Sequence, residues 1–161
     1  MNSHESMVEM IMNLLDERSQ KTLKVKFSDD CPDENEFLTY QNIEIHEVDL
    51  SFIYSLKDWN FDDDWINWIQ RGLNYDIDFS IYLGFSNIEL IPWNLINLFP
   101  GKFFGKEKKA INTLNRRNIT LSRVMNLNSD SYLYVTTKQK LTNLALEEIK
   151  KRKIILIEGP E

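Results

Sequence analysis

The chain contains one cysteine, Cys31, and two histidines, His4 and His46, in 161 residues. A single thiol forms no internal disulfide and builds no multi-cysteine zinc site, and this usage fits a reduced protein of the cytoplasm. Two histidines give a histidine-based catalytic triad little to draw on. A Gly-rich phosphate loop and the G-x-G-x-x-G signature are both absent, as are internal repeats and low-complexity linkers. No apolar run approaches the length of a membrane span and no signal-peptide pattern opens the sequence, so no membrane partner is expected.

What is present describes one domain. A length of 161 residues with 42% hydrophobic content is enough for a real core. Charge is unevenly spread: residues 1–98 carry 19 acidic and 6 basic side chains, and residues 99–161 carry 6 and 13. The net of −6 makes the whole chain a poor non-specific ligand for nucleic acid. The basic flank still suits DNA or RNA, and the acidic flank suits a basic protein.

The C-terminal stretch has the clearest pattern. Tyr132-Leu133-Tyr134-Val135 alternates as a strand, and Thr136 to Gln139 has the spacing of a capping box. Leu141, Leu144, Ala145 and Ile149 then share a helix face, and Lys150, Lys151, Arg152 and Lys153 lie at its C-terminal end, where the helix dipole favours cations. Ile154-Ile155-Leu156-Ile157 reads as a strand buried on both faces. Strand, helix and strand with short links predict a parallel βαβ unit with a right-handed crossover.

Val135-Thr136-Thr137, Leu141-Thr142-x-x-Ala145 and Ile154-x-Leu156-Ile157-Glu158-Gly159 together resemble the end of the Mrr-type restriction-endonuclease-like domain, of the PD-(D/E)xK nuclease superfamily. The resemblance covers about a fifth of the chain, and its motif is structural. It implies an α/β fold with a central mixed sheet flanked by helices. Residues 58–161 would be the nuclease-like core of a single domain, and residues 1–57 an N-terminal α+β extension.

Upstream, the helix at residues 6–19 has an apolar face of Met7, Met10, Ile11, Leu14 and Leu15, and strands are expected near residues 23–27 and 43–48. Pro32-Asp33 with Glu44-x-His46 matches PD…ExK with histidine in the lysine position, a match short enough to arise by chance; His46 is expected to be exposed at a strand edge. Asp62, Asp63 and Asp64 suit the start of a helix in which Trp65, Ile66, Trp68 and Ile69 face inward and Gly72 marks the end. The same stretch, Trp59, Asp62, Asp63, Asp64, Trp65 and Trp68, also reads as an acidic, aromatic docking patch for a basic partner.

By the resemblance, Phe61-Asp62 lies at the family's first helix, and residues 76–83 form the strand toward its metal-binding aspartate. In one register Asn87-Ile88-Glu89 takes that aspartate's place, and a strand at residues 95–99 puts Asn97 and Phe99 at the acid and lysine positions. In the other, Asp78 is the aspartate and Glu89-x-Ile91 stands for Glu-x-Lys. Both registers lack the lysine. Such nucleases hold magnesium between carboxylates, here Asp78 and Glu89 with Asp62 nearby, and losing the cation costs roughly a hundredfold in rate. The sequence therefore favours a catalytically degenerate binding module with no cofactor, of inhibitor or immunity type. A magnesium-dependent endonuclease acting through Glu89, Asp78 and Asp62 is the alternative. A third reading is a non-cleaving nucleic-acid binder using a helix at residues 106–118, with Lys106, Lys108, Lys109, Arg116 and Arg117 as its phosphate contacts. A strand is expected at residues 119–127.

Overall fold

A computed structural model describes residues 3–161. Its centre is a seven-stranded mixed sheet: β1 (Thr22–Lys26), β2 (Asn42–Val48), β3 (Asp78–Leu83), β4 (Lys102–Phe104), β5 (Ala110–Asn112), β7 (Tyr132–Thr136) and β9 (Ile155–Gly159), in that spatial order. Strands β1 to β4 are mutually parallel, as are β5, β7 and β9; the two blocks meet antiparallel at the β4–β5 hairpin. A two-stranded ladder of β6 (Asn118–Ile119) and β8 (Lys140–Leu141) lies beside the sheet. One sheet thus runs through residues 1–57 and 58–161 alike. Among the described residues no helix is long and apolar enough to cross a membrane.

Block reversal decides which face each helix covers. Successive parallel strands advance across the sheet in one direction, so right-handed crossovers put the helices of the first block on one face and those of the second on the other. The first face is covered by α2 (Glu36–Thr39), α3 (Leu50–Lys57), α4 (Asp64–Asn74) and α5 (Trp93–Leu98). Their Phe37, Phe52, Ile53, Trp65, Ile66 and Trp93 join Ile43, Ile45, Phe79, Ile81 and Tyr134 in the main core. Among the described residues the second face is covered only beside β7 and β9, by α6 (Leu121–Met125) and α7 (Asn143–Lys151), where Val124, Ala145 and Ile149 pack on Leu133 and Val135. The alternation along β7, with Tyr134 on one side and Leu133 and Val135 on the other, follows from the two-residue repeat of a strand.

The C-terminal βαβ unit forms as expected, β7 and β9 being parallel. Several other expectations are corrected. Residues 106–118 make no helix: Gly105 N–H donates to Lys109 O, Lys108 takes φ of 63°, and the chain folds back as the β4–β5 hairpin. Ala110, Ile111 and Leu114 have a spacing that a helix would also use, but β7 supplies a partner strand, and polar Asn112, Thr113, Asn115 and Asn118 add little helix propensity. The expected strand at residues 119–127 is instead the end of β6 followed by α6, and residues 95–99 lie in and just beyond α5.

Thr136 and Gln139 keep half of the capping box, since the Gln139 side chain accepts from Thr136 N–H at 3.1 Å, but they close a turn. Thr142 is the cap of α7, accepting from Ala145 N–H. Leu144 points outward. β9 is an edge strand, and Ile155 and Leu156 are about 40% and 39% exposed instead of buried on both faces. Gly72 does not end α4, which continues to Asn74. A Cβ there would lie 2.5 Å from the Phe79 ring, so close packing of helix on strand demands glycine. The first helix, α1 (Ser3–Gln20), buries no residue, and its Met7, Met10, Ile11, Leu14 and Leu15 are all exposed. It is anchored at its C-terminal end, where Arg18 donates to the carbonyls of Phe37 and Tyr75.

Candidate functional site

The carboxyl ends of parallel strands are where open α/β sheets bind ligands, because strand and helix termini leave a crevice there. In this fold the ends of β1, β2 and β3 border a cleft of about 1100 Å³. Its walls are Lys24 and Lys26 from β1, His46 and Glu47 from β2, Tyr82 from β3, the segment from Asp49 to Ser51 that opens α3, Gly84-Phe85, and Lys106 and Lys108 from the hairpin turn.

The cleft floor lies on the uncovered half of the second sheet face. His46 and Tyr82 line it on neighbouring strands, and Phe104, on β4 outside the cleft lining, continues their stack, with ring centroids 4.3 and 4.5 Å apart and planes within 14° and 8° of parallel. This spacing is close to the distance between adjacent strands, so the rings stand upright on the sheet. His46 Nε2 donates to Glu44 Oε2 at 2.8 Å. His46 is therefore half-buried on an interior strand, not exposed at an edge. Burial raises the Tyr82 phenol above its ordinary value, and Glu44 adds to the effect.

The charges around the cleft differ in how committed they are. Lys26 pairs with Glu47 at 3.7 Å and Lys24 with Glu44 at 3.8 Å. Asp49 caps α3: burial would raise its carboxyl, but donation from Ser51 Oγ and the Phe52 and Ser51 N–H groups brings it below the usual value. Among the described residues neither Lys106 nor Lys108 has a carboxylate partner within 4 Å. Two cleft residues also hold left-handed backbone, Glu47 at φ 56° in the β2 irregularity and Lys108 at φ 63°. Non-glycine residues in this region cost free energy and collect at functional sites.

The sequence-predicted catalytic residues do not converge. Asp78 opens β3 beside Asn42, on the uncovered face. Glu89 lies in the 3-10 turn Ile88–Leu90, with its carbonyl 3.4 Å from the Tyr134 hydroxyl on the opposite face. Strands β3 and β7 are three inter-strand spacings apart, about 14 Å. Asp62 is in the turn ahead of α4, and Asp63, not Asp62, caps that helix by accepting from Trp65 N–H at 3.0 Å. Among the described residues no three His, Cys, Asp or Glu side chains are grouped as a metal site requires. Phe99 and Ile91, at the two lysine positions, are both buried, and Asn97 is on α5, where its carbonyl oxygen accepts from Thr113 Oγ1.

The docking patch is divided. Trp65 and Trp68 belong to the core at 7% and 4% exposure, while Trp59, Asp62 and Asp64 remain at the surface and Asp63 is half-buried. The five expected phosphate-contacting cations also separate. Lys106 and Lys108 line the cleft; Lys109 is held by Asp130 at 3.1 Å, which raises its pKa; Arg116 and Arg117 lie at a second pocket. Sequence reasoning missed Lys24, Lys26 and Tyr82. The first two are exposed positions of an alternating strand, a signal that indicates solvent contact and nothing about a site.

Cys31 stands apart from this chemistry. Burial pushes its thiol up to about 12, with the Asp64 and Asp63 charges adding to the shift. The native thiol is expected to alkylate slowly with iodoacetamide at pH 8, and quickly once the chain is unfolded in urea. As pH rises past 9 the unfolded state loses this proton first. The stability contributed is therefore full below about pH 9 and is lost towards pH 12. Urea midpoints of the wild type should fall more steeply between pH 8 and 10.5 than those of Cys31→Ser; parallel curves would contradict the assignment.

Fold and site together define a mixed-sheet α/β protein with a basic, aromatic-floored cleft at the carboxyl ends of its first parallel block. The chain belongs to the family described as "Putative propanediol utilisation", which matches residues 6–155. No curated protein and no solved structure matches it.

Proposed function

We propose that the protein is a binding protein for a ring-bearing anion of the nucleotide class, held in the cleft at the ends of β1, β2 and β3. Lys106 and Lys108 take the phosphate charge, with Lys24 and Lys26 beside them. The base lies against the exposed edges of the stacked His46 and Tyr82 rings. The observation that carries this reading is the stacked His46 and Tyr82 pair in the same cleft as two lysines that, among the described residues, lack carboxylate partners. Binding without cleavage is also the simpler chemistry, since Asp62, Asp78 and Glu89 lie on different elements and the lysine positions are occupied by apolar residues.

The test is calorimetry with AMP and ADP at low salt. Wild-type binding is expected to weaken at least tenfold in Lys106→Gln/Lys108→Gln, because each charge-assisted hydrogen bond contributes about 1.5–3 kcal/mol. Tyr82→Leu should weaken nucleotide more than inorganic phosphate. Absence of nucleotide binding, or binding indifferent to the lysine pair, would sink the reading.

A second reading keeps the basic protein partner. Trp59 and Phe61 are exposed, their rings 6.2 Å apart, beside the Asp62 and Asp64 carboxylates, and exposed aromatics rimmed by charge are common at interfaces. In that case the inhibitor or immunity-type role rests on this smaller patch, and Trp59→Ala/Phe61→Ala should abolish capture of the partner while leaving nucleotide binding intact.

A further inference from the structure

The block reversal gives the sheet a second set of carboxyl strand ends, those of β7 and β9, at the other end of the molecule from the cleft. A pocket of about 550 Å³ lies there, lined by Trp93, Asn115, Arg116, Arg117, the turn from Thr136 to Lys140, and Glu161. We propose that this pocket binds the phosphoryl group of a small phosphorylated molecule, independently of the cleft.

Three observations support the assignment. Firstly, four cations converge from separate segments. Among the described residues Arg116, Arg117 and Lys140 have no carboxylate within 4 Å, while Lys138 is paired with Glu161 Oε2 at 2.7 Å. A bound dianion would be attracted by all four. Secondly, the backbone that presents them is clamped. The Gln139 side chain accepts from Thr136 N–H and donates to the carbonyls of Leu114 and Arg116, and Lys140 N–H donates to Arg117 O at 2.8 Å. The two arginines are thus tied to the end of β7 through main-chain groups, which leaves both guanidinium groups free for a ligand. Thirdly, the back wall is rigid: Trp93 is buried and its Nε1 donates to Tyr134 O at 2.9 Å.

The chemistry of the lining sets the ligand class. Guanidinium groups match phosphate oxygens with paired hydrogen bonds, and Thr136 and Thr137 add hydroxyl donors at the strand end. The volume is that of a small-molecule site, not a groove tracking a polymer. Glu161 places a carboxylate in the same pocket, where it competes with an incoming anion for Lys138.

The experiment is isothermal titration of the full chain with pyrophosphate at low salt, using ADP-free protein. Binding is expected to fall at least tenfold in Arg116→Gln/Arg117→Gln and to tighten severalfold in Glu161→Gln. It should retain a component unaffected by Lys106→Gln/Lys108→Gln. That last variant separates this site from the cleft, so loss of nucleotide binding there would leave the present proposal standing. Among the described residues the Arg116 and Arg117 side chains hold no hydrogen bond, so Arg116→Gln/Arg117→Gln should melt with the wild type, and Glu161→Gln, which loses only the exposed pair with Lys138, should melt close to it. Pyrophosphate binding that ignores the arginine pair, or that is unchanged or weakened in Glu161→Gln, would overturn the proposal. So would a single-stranded oligonucleotide that binds through these arginines more tightly than pyrophosphate.

Discussion

Tyr134→Ala is expected to lower the free energy of unfolding by about 3–5 kcal/mol, the range for truncating a large buried aromatic side chain. Tyr134 is fully buried on β7, and three parts of the fold meet at it. Its hydroxyl donates to Ile91 O at 2.7 Å, which fixes the crossover between β3 and α5. Its main-chain carbonyl accepts from Trp93 Nε1. Its side chain fills the space where a Cβ on Gly159 would otherwise sit, so β9 also depends on it. Burial raises the phenol above its ordinary value, with Glu89 adding to the effect, so the hydroxyl remains a donor through neutral pH. A loss of this size is a large fraction of the 5–15 kcal/mol typical of a domain. Tyr134→Phe keeps the ring but leaves the Ile91 carbonyl without its partner, at a cost of about 1–3 kcal/mol. Urea unfolding followed by circular dichroism checks both. A change below 1 kcal/mol for the alanine variant would show that the crossover does not depend on this contact.

Trp68→Ala should be comparably damaging, about 3–5 kcal/mol. The indole packs on Phe37, Trp65 and Phe79 with ring centroids 5.0, 5.7 and 5.8 Å away, and its exposure is 4%. Removing it opens a cavity where α4 meets the sheet. Trp59→Ala, at 38% exposure, should stay within about 0.5 kcal/mol of the wild type. The pair separates two roles that the same acidic, aromatic stretch suggests in sequence. A docking surface would lose partner binding at both positions with little change in stability. A core would lose stability at Trp68 alone.

Local pattern carried much of this fold. Alternating residues marked β1, β2, β3 and β7, and amphipathic spacing marked α4 and α7. Those segments bury one face, and the period of burial is written in consecutive residues. Residues 106–118 were not legible in this way. Ala110, Ile111 and Leu114 fit a helix face as well as a short strand, and the choice depended on β7, about 20 residues further on. Ile154 to Ile157 have the composition of an interior strand, but position at the sheet edge is a property of strand order. The apolar spacing of α1 specifies a helix face, and its exposure does not follow from the helix alone.

The candidate site divides along the same line. The sequence by itself determined that the chain carries a basic C-terminal part and that Tyr132 to Gly159 forms a parallel strand–helix–strand unit. Tertiary structure alone decided that Lys24 and Lys26 line the same cleft as Lys106 and Lys108, some 80 residues away, while Arg116 and Arg117 go to the opposite end. The physical reason is the antiparallel turn at Gly105. Short-range pattern encodes which side of an element is buried. The reversal of one hairpin sets which strand ends, and so which charges, share a crevice.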